Sequence, residues 1–294
     1  MSSPSSRSAE RVKRLQAATA RRERNRRLAI AGGGVAVIVI VVATLVIVKL
    51  TGGGGSSNNA APAQTGLAAV VAGVTGVPAS ALDSVGAGTA AILKPISGAR
   101  PLTDSGKPEI LYVGAEYCPY CAASRWGVVV ALSRFGTFTG LGLTSSASDD
   151  VYPNTATLTF HGATYTSSYL AFHGYEVTDR NQQPLDTLPS ADNVVFHTYD
   201  NTPYTTSPGS IPFVDIGGKW GLYGTAYDPQ PLHGLPHAQI VADLKNPSSP
   251  VAQAILGEAN MVTAGICQST GQQPSSVCSS AGVKAATSKL GSGG

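Results

Sequence analysis

The sequence has little charge, few aromatic residues and few cysteines. Only 13% of its 294 residues are Asp, Glu, Lys or Arg, 6% are aromatic, and 4 are Cys. Because 43% of the residues are hydrophobic, the chain is not disordered throughout. Its 34 Gly follow no collagen period, and four Cys in a chain of this length exclude a disulfide-dense mini-domain. We find no internal sequence repeat.

Charge is distributed unevenly along the chain. The first 50 residues contain ten basic and two acidic residues, a net charge of +8, whereas the remainder carries −5. No side chain ionises between Leu28 and Val48, a run that matches the roughly 20 residues of a transmembrane helix. Most of the basic residues precede this run, and excess Lys and Arg stays on the cytoplasmic side of a membrane. We therefore expect a single-pass cell-membrane anchor with a cytoplasmic N-terminus and an extracytoplasmic C-terminal domain.

Two alternatives remain for this N-terminal region. A cleaved signal peptide could end near Asn59-Ala60-Ala61, but its apolar stretch would normally span only about 7–15 residues. An arginine-rich arm could also bind nucleic acid. Because the basic residues adjoin an apolar run, we favour a role in setting the orientation of the membrane span and in contacting anionic lipids over a role in binding nucleic acid. We expect membrane binding through residues 28–48 and no nucleic-acid partner.

Composition divides the chain into five segments. The stretch after the apolar run is rich in Gly, Ser, Asn and Ala, so it cannot bury apolar area and is typical of a flexible tether. A globular composition follows, long enough for one sizeable core. The segments are a basic cytoplasmic segment 1–27, a transmembrane helix 28–50, a linker 51–66, an extracytoplasmic domain 67–284 and a disordered tail 285–294.

The motif that carries chemistry is Cys118-Pro119-Tyr120-Cys121. It follows Ile110–Val113, a short apolar run typical of a buried strand, and precedes apolar residues at helical spacing between Val128 and Phe135. The motif therefore lies where a strand ends and a helix begins. Pro119 suits the first helical position because it has no N–H to leave unpaired. Unpaired N–H groups and the helix dipole stabilise a thiolate there.

This placement predicts a role for each cysteine of the motif. Cys118, the outer member, attacks a partner's sulfur and forms a mixed disulfide, and Cys121 is the resolving thiol. Half of a zinc site and an inert structural disulfide are the other interpretations of such a pair. We expect no metal and no cofactor, because there is no second CxxC and no histidine shares ligand spacing with a carboxylate. The histidines, treated as surface or structural residues, are His161, His173, His197, His233 and His237.

A second feature extends from Ser210 to Tyr223. It predicts two strands joined at Gly217-Gly218, since glycines supply the positive φ values of a tight turn. Pro212 has no N–H to donate to a neighbouring strand, so it belongs at the edge of a sheet or at a bend. The peptide bond before it is expected to be trans, as most such bonds are. Between the CxxC helix and Pro212, Thr157–Phe160 and Val194–Tyr199 alternate like strands. They predict a strand-rich insertion, which could recognise a partner.

Together the two features resemble the thioredoxin superfamily. The segment Ala115–Cys121 is similar to its active-site turn, and the CPYC tetrapeptide is typical of glutaredoxins. Ile211-Pro212 is similar to the cis-proline segment, which packs beside the CxxC and presents backbone to a bound peptide. The resemblance implies an α/β, thioredoxin-like fold with the insertion between the CxxC helix and the cis-Pro hairpin. It also implies that Pro119, Tyr120 and Pro212 belong to the active site with both cysteines.

The wider segment from Tyr112 to Phe138 resembles, more specifically, the domain-of-unknown-function family 929 of membrane-anchored, thioredoxin-like prokaryotic proteins. The likeness covers most of the chain after the linker and implies the fold, but it brings no substrate. Tyr112 stands where thioredoxins keep a buried Asp that handles the proton of the resolving thiol. The nearest acid is Glu116, which is a candidate for proton transfer.

The remaining cysteines lie near the C-terminus. Ser249 and Pro250 predict the start of a helix that ends at Cys267, and Cys278 follows after a turn. Outside the cytoplasm this spacing predicts a structural disulfide, and an electron relay to Cys118 is the alternative.

These observations predict a membrane-anchored, extracytoplasmic thiol–disulfide oxidoreductase that oxidises or isomerises exported proteins. Its partners would be thiols or disulfides of those proteins and a membrane redox partner that recycles the CPYC pair. The direction of the reaction depends on a reduction potential that sequence does not fix. The alternative from another functional class is a non-catalytic cell-surface binding module with a thioredoxin-like fold and a permanent CPYC disulfide.

Overall fold

The computed structural model describes residues 62–91 and 93–291. The predicted cytoplasmic segment, the predicted transmembrane helix and most of the predicted linker lie outside these residues. The described part is an α/β structure with helices packed against a mixed sheet. Its helices are α1 (Pro62–Thr75), α2 (Ala79–Val85), α3 (Pro119–Leu132), α4 (Ser190–Tyr199), a 3₁₀ turn (Gln230–Leu232), α5 (His237–Asp243), α6 (Pro250–Ser269), α7 (Ser275–Cys278) and α8 (Ala281–Gly291).

Within residues 62–91 and 93–291, the strands form one main sheet and two small ones. They are β1 (Lys94–Pro95), β2 (Thr103–Asp104), β3 (Lys107–Gly114), β4 (Gly136–Thr139), β5 (Gly142–Ser145), β6 (Ala156–Thr159), β7 (Thr164–Ser167), β8 (Ala171–Glu176), β9 (Phe213–Ile216) and β10 (Trp220–Tyr223). In the main sheet the order is β1-β10-β9-β3, with β2 and β8 both pairing with β3. β8 runs parallel to β3, and β9 runs antiparallel to it.

The central position of β3 explains its uninterrupted apolar sequence. Ile110, Leu111, Tyr112 and Val113 are all fully buried, as the sequence predicts. Successive side chains of a strand point to opposite faces, so a strand covered on both faces needs apolar residues throughout. Ile110 and Tyr112 join the large core that α3 and α6 help to build, whereas Leu111 and Val113 pack with side chains of α4.

The predicted insertion between α3 and Pro212 contains strands, and one of its predicted pieces is wrong. β4 pairs with β7 and β5 pairs with β6, so the strand expected around Thr157–Phe160 is confirmed. Val194–Tyr199 belongs instead to α4. Its β-branched and aromatic residues favour a strand locally, but Val195, Phe196 and Tyr199 pack on the sheet from a helix.

Both ends of the predicted extracytoplasmic domain differ from the expectation. α1 begins at Pro62, so residues 62–66 are helical and do not belong to a linker. The disordered tail predicted from residue 285 is also wrong, because α8 continues to Gly291. Its composition is small and polar, but Val283, Ala286 and Leu290 lie on one helical face and are buried. The predicted disulfide between Cys267 and Cys278 is present and joins the end of α6 to α7.

Among the described residues, no single helix is long and apolar enough to cross a membrane. α2 and the part of α1 from Gly66 onward meet those criteria only together, and they are bent by 59° where they join.

Candidate active site

The CxxC motif lies at the junction of β3 and α3, as the sequence predicts. β3 ends at Gly114, and α3 begins with Pro119 directly after its N-cap residue, Cys118. The Sγ atom of Cys118 accepts a hydrogen bond from the backbone N–H of Cys121 at 3.3 Å. An N-cap side chain ordinarily satisfies an unpaired N–H with oxygen, and here sulfur takes that position. Negative charge on this sulfur is therefore stabilised by the start of the helix.

The two thiols of the motif have different proton affinities. Hydrogen bonding from the Cys121 thiol is the main cause that lowers the pKa of Cys118. Burial opposes this effect by raising the pKa. The N–H groups of Cys121 and Tyr120 and the positive charge of Arg125 lower the pKa further. Burial raises the pKa of Cys121 well above its ordinary value, and its interaction with Cys118 raises it further. The first proton lost from the pair therefore leaves a thiolate on Cys118.

Access to the two sulfur atoms is limited. Cys118 is 6% exposed, less than an outer thiol at a helix start predicts, and Cys121 is fully buried. One reason is the segment before β9, where the carbonyl oxygen of Ile211 lies 3.8 Å from the Sγ of Cys118. The Ile211–Pro212 peptide bond is cis, as the thioredoxin resemblance implies and against the ordinary trans expectation. The structure thus brings Ile211, the residue before Pro212, beside Cys118, which lies 93 residues earlier in the chain.

The predicted hairpin after Pro212 is confirmed. β9 and β10 pair antiparallel, and both Gly217 and Gly218 between them have positive φ angles, 65° and 69°. Pro212 immediately precedes β9, so its missing N–H removes no hydrogen bond between the strands. Its carbonyl oxygen accepts a hydrogen bond from the backbone N–H of Gly224 at 2.8 Å.

A buried ion pair that sequence reasoning missed lies behind the cysteines. Arg125 on α3 donates from Nε and Nη2 to the two carboxylate oxygens of Glu176, at 2.7 and 2.6 Å. Nη2 also donates to the carbonyl of Ala115 at 2.6 Å. Both charged side chains are completely buried. Since the guanidinium lowers the pKa of both Cys118 and Cys121, this pair is part of the electrostatic environment of the motif.

Tyr112 and Glu116 occupy different surroundings. The hydroxyl of Tyr112 is buried and has no hydrogen-bond partner among the described residues, and burial raises its pKa well above the ordinary value. The carboxylate of Glu116 accepts from the hydroxyl of Thr144 at 3.2 Å. In the described part of the chain it has no hydrogen bond to either thiol, so its role in proton transfer stays a prediction.

A second buried acid contacts the CxxC helix and was also missed. Glu258 of α6 is fully buried, and it accepts a hydrogen bond from the hydroxyl of Ser124 at 2.6 Å. It packs against Gly127, where a Cβ atom would lie 2.8 Å from the Cγ of Glu258. Burial raises the pKa of Glu258 to about 8, although the bond from Ser124 lowers it. The side chain is therefore mainly protonated at neutral pH.

An exposed aromatic surface lies next to the motif. Tyr120 is 39% exposed, and its ring meets that of Tyr152 edge to face at 6.2 Å. Tyr152 belongs to the insertion, and its hydroxyl donates to Asp228 at 2.7 Å. The insertion is held beside the motif by a hydrogen bond from the N–H of Ala147 to the carbonyl of Tyr117. The structure thus brings the insertion and Tyr120 to one surface.

The four cysteines are in two different states. Cys118 and Cys121 are free, and Cys267 and Cys278 are bonded to each other. Within residues 62–91 and 93–291, neither free cysteine belongs to a cluster of three or more potential metal ligands.

The comparisons with known proteins give a family but no activity. A family model described as "Domain of unknown function (DUF929)" matches residues 96–268. The matched segment contains the CxxC, Arg125, Glu176 and Glu258. Comparisons with curated proteins and with solved structures find no match.

Proposed function

The chain belongs to the DUF929 family, and we propose that it is a membrane-anchored, extracytoplasmic thiol–disulfide oxidoreductase. The observation that carries this proposal is the hydrogen bond from the N–H of Cys121 to the Sγ of Cys118 at the first turn of α3. The attacking species in disulfide exchange is a thiolate, and this position favours one.

A thioredoxin-like fold is part of the proposal. The CxxC joins β3 to α3, and β8, which follows strands β4 to β7, pairs parallel with β3. A strand, a helix and a parallel strand of the same sheet therefore follow one another around the motif. A CxxC in such a βαβ setting is typical of thioredoxin-like redox sites. The cis peptide at Pro212 next to Cys118 and the hairpin that follows it give further support.

In the oxidising direction, the reaction starts from the Cys118–Cys121 disulfide. A thiolate of an exported protein attacks the Sγ of Cys118, forming a mixed disulfide and releasing Cys121 as a thiolate that takes up a proton. A second client thiolate then attacks the client sulfur of the mixed disulfide, which forms the client's disulfide and releases the Cys118 thiolate. Two electrons have passed from the client to the dithiol, and a membrane redox partner removes them. Isomerisation begins from the dithiol, with Cys118 attacking a client disulfide.

The surrounding residues support these steps in different ways. The buried guanidinium of Arg125 stabilises negative charge on either sulfur, whereas burial keeps Cys121 protonated until it must act. The carbonyl of Ile211 lies beside the Sγ of Cys118, and it offers an acceptor for the backbone of a bound client. Tyr120 and Tyr152 supply an aromatic surface for client side chains.

The competing candidate is a non-catalytic binding module, and the small exposed fraction of Cys118 favours it. A 6% exposed sulfur must be uncovered before a protein substrate reaches it. In this case the CPYC pair would remain a permanent disulfide and contribute only to stability.

Trapping of mixed disulfides separates the two candidates. The full chain carrying Cys121→Ser lacks the resolving thiol, so clients attached to Cys118 should accumulate as complexes that a reductant releases. The matched control is Cys118→Ser, which retains Cys121 but lacks the nucleophile. We expect complexes with the first variant and none with the second. Equal amounts with both variants, or none with either, would overturn the oxidoreductase assignment.

The membrane anchor and its orientation rest on the apolar run 28–48 and the basic residues before it. A reporter that is active only outside the cytoplasm, fused after Gly294, should be active. A reporter that is active only in the cytosol should be inactive at the same position. The reverse result would overturn the proposed orientation.

A further inference from the structure

A second cluster of ionisable side chains lies at the opposite end of β3 from the CxxC. Glu109 stands near the start of β3, whereas Cys118 follows its end. His173 on β8 lies in register with Leu111, so its side chain shares the sheet face of Glu109. Asp192, in the first turn of α4, reaches this face from the helix that covers it. Three elements thus bring one imidazole and two carboxylates together.

The distances within this cluster suit a shared cation. The Nδ1 atom of His173 lies 3.2 Å from Oε1 of Glu109 and 3.0 Å from Oδ2 of Asp192. One potential ligand atom from each residue lies within 4.8 Å of the others. In a tetrahedral zinc site with bonds of about 2.0 Å, ligand atoms are about 3.3 Å apart. Small movements of these side chains would accommodate an ion among the three atoms.

Hydrogen bonding leaves the cluster incomplete. The Nδ1 atom of an imidazole carries at most one hydrogen, so it cannot donate fully to Glu109 and to Asp192. Oε1 of Glu109 is buried, and apart from the 3.2 Å ion-pair contact with Nδ1 of His173 it has no hydrogen-bond partner in the described part of the chain. The side chains of Glu109 and Asp192 are only 5% and 6% exposed, so water does not readily compensate. A buried carboxylate oxygen of this kind requires a proton donor or a cation.

The surroundings resemble the outer shell of a metal site. The hydroxyl of Tyr175 donates to Oδ2 of Asp192 at 2.7 Å, which fixes the carboxylate and leaves it a lone pair. The Nε2 atom of His173 faces Oδ2 of Asp104 at 3.7 Å. Metal-binding histidines are oriented by a hydrogen bond from the second ring nitrogen to a carboxylate, and Asp104 lies on that side of His173 just beyond hydrogen-bond distance. Asp104 and His173 also line a surface cavity, which offers a path for an ion. Lys107 lines it too, but its Nζ donates to the carbonyl of Ser167.

We propose that Glu109, His173 and Asp192 bind one divalent transition-metal ion of the Zn²⁺ class. One imidazole nitrogen and two carboxylate oxygens form a ligand set that such ions accept, with the fourth position open to water from the cavity. The ion takes the place of the proton at Nδ1 of His173. This site is separate from the CxxC and does not depend on the proposed redox function.

Direct titration tests this site. The probe is Zn²⁺ alone, and the protein is the full chain carrying Cys118→Ser and Cys121→Ser, so that no free thiol binds the ion. After treatment with a chelator and its removal, calorimetric titration should show one ion bound per chain. Adding Glu109→Gln or Asp192→Asn should weaken binding at least about 10-fold. The matched control is His161→Gln, which alters an exposed His–Asp pair outside the cluster and should leave the affinity unchanged.

A loss of Zn²⁺ binding counts only for variants that fold. Far-ultraviolet circular dichroism checks each variant, and His173→Gln, at a partly exposed position, replaces any buried variant that fails to fold. Zn²⁺ should also raise the melting temperature of the parent chain but not that of the cluster variants. No stoichiometric binding, or equal binding by the parent, Glu109→Gln and His173→Gln, would overturn the proposal.

Discussion

Nη2 of Arg125, one helical turn beyond Cys121 on α3, lies 2.6 Å from Oε2 of Glu176 at the end of β8, and both side chains are completely buried. Burying two charges costs desolvation free energy that their attraction only partly offsets, so such a pair is not by itself a source of stability. Its position suggests an electrostatic role. The guanidinium favours the thiolate form of both cysteines, while the carboxylate of Glu176 raises the pKa of Cys121.

Replacing Arg125 should therefore alter both reactivity and stability. Arg125→Gln should raise the pKa of Cys118, because it removes a positive charge that lowers this pKa. It should also destabilise the fold by about 3–5 kcal/mol, since Glu176 is left buried without its partner. The pH dependence of the alkylation rate of Cys118 measures the first effect, and denaturant unfolding measures the second.

Removing the negative charge of the pair should shift a thiol pKa in the opposite direction. Glu176→Gln retains a hydrogen-bonding group but removes the negative charge, so it should lower the pKa of Cys121. The ultraviolet absorbance of the thiolate, followed against pH in a Cys118→Ser background, reports this. Asp243→Asn on α5 is a control in which no shift is expected. An unchanged thiol pKa in both Arg125→Gln and Glu176→Gln would contradict an electrostatic role for the pair.

Two substitutions of Cys121 should separate the contributions to the low pKa of Cys118. Hydrogen bonding from the Cys121 thiol is the largest contribution, and Cys121→Ser keeps an O–H donor there whereas Cys121→Ala does not. The backbone N–H of residue 121 donates in both variants. We expect a higher Cys118 pKa in the Ala variant than in the Ser variant, measured by alkylation rate against pH. Identical values would assign the effect to the helix start alone.

Much of the candidate site could be predicted because its signals are local. The apolar run before Gly114, Pro119 at the helix start and the glycine pair at 217–218 each determine the conformation of a few neighbouring residues. The helix that starts after Ser249 is equally local, because the serine side chain accepts from the N–H of Ala252.

The missing parts depend on distant contacts. Arg125 and Glu176 are 51 residues apart, and Ser124 and Glu258 are 134 apart, so no spacing rule connects them. His173 likewise meets its two carboxylates only because β3, β8 and α4 come together. For the same reason α8 was missed, since its apolar face has a partner only in the folded chain.

Glu258 should make stability depend on pH. Its pKa is about 8 in the folded chain and about 4.3 in an unfolded one, so between these values the folded state keeps a proton that the unfolded state has lost. The free energy of unfolding should therefore fall as pH rises from about 5 to 8, by up to about 1.4 kcal/mol per pH unit from this group.

Denaturant unfolding of the full chain and of Glu258→Gln across this range measures the effect. Asp215, with a pKa raised to about 7 by burial, contributes with the same sign in both proteins and cancels in the comparison. The advantage of the Gln variant should grow with pH and level off above about pH 8. Parallel pH profiles would show that Glu258 is ionised in the folded chain.

The aromatic surface beside the motif should affect client exchange but not thiol chemistry. Tyr152→Ala removes the ring that meets Tyr120, and aromatic pairs contribute about 0.5–1.5 kcal/mol, so kcat/KM with a peptide disulfide should fall roughly 2- to 12-fold. Tyr152→Phe keeps the ring and loses only the hydrogen bond to Asp228. It should retain most of the activity. If Tyr152→Ala slowed alkylation of Cys118 by a small reagent equally, the ring would act on the thiol and not on the client.

The most direct test is limited alkylation of the reduced full chain at mildly acidic pH, followed by identification of the modified cysteine by mass spectrometry. The hydrogen bonds to its sulfur predict that Cys118 is modified first and faster than a free cysteine under the same conditions, with Cys121 unmodified until the protein unfolds. Modification of Cys121 first, or no reaction of Cys118 before unfolding, would contradict the assignment of Cys118 as an attacking thiolate.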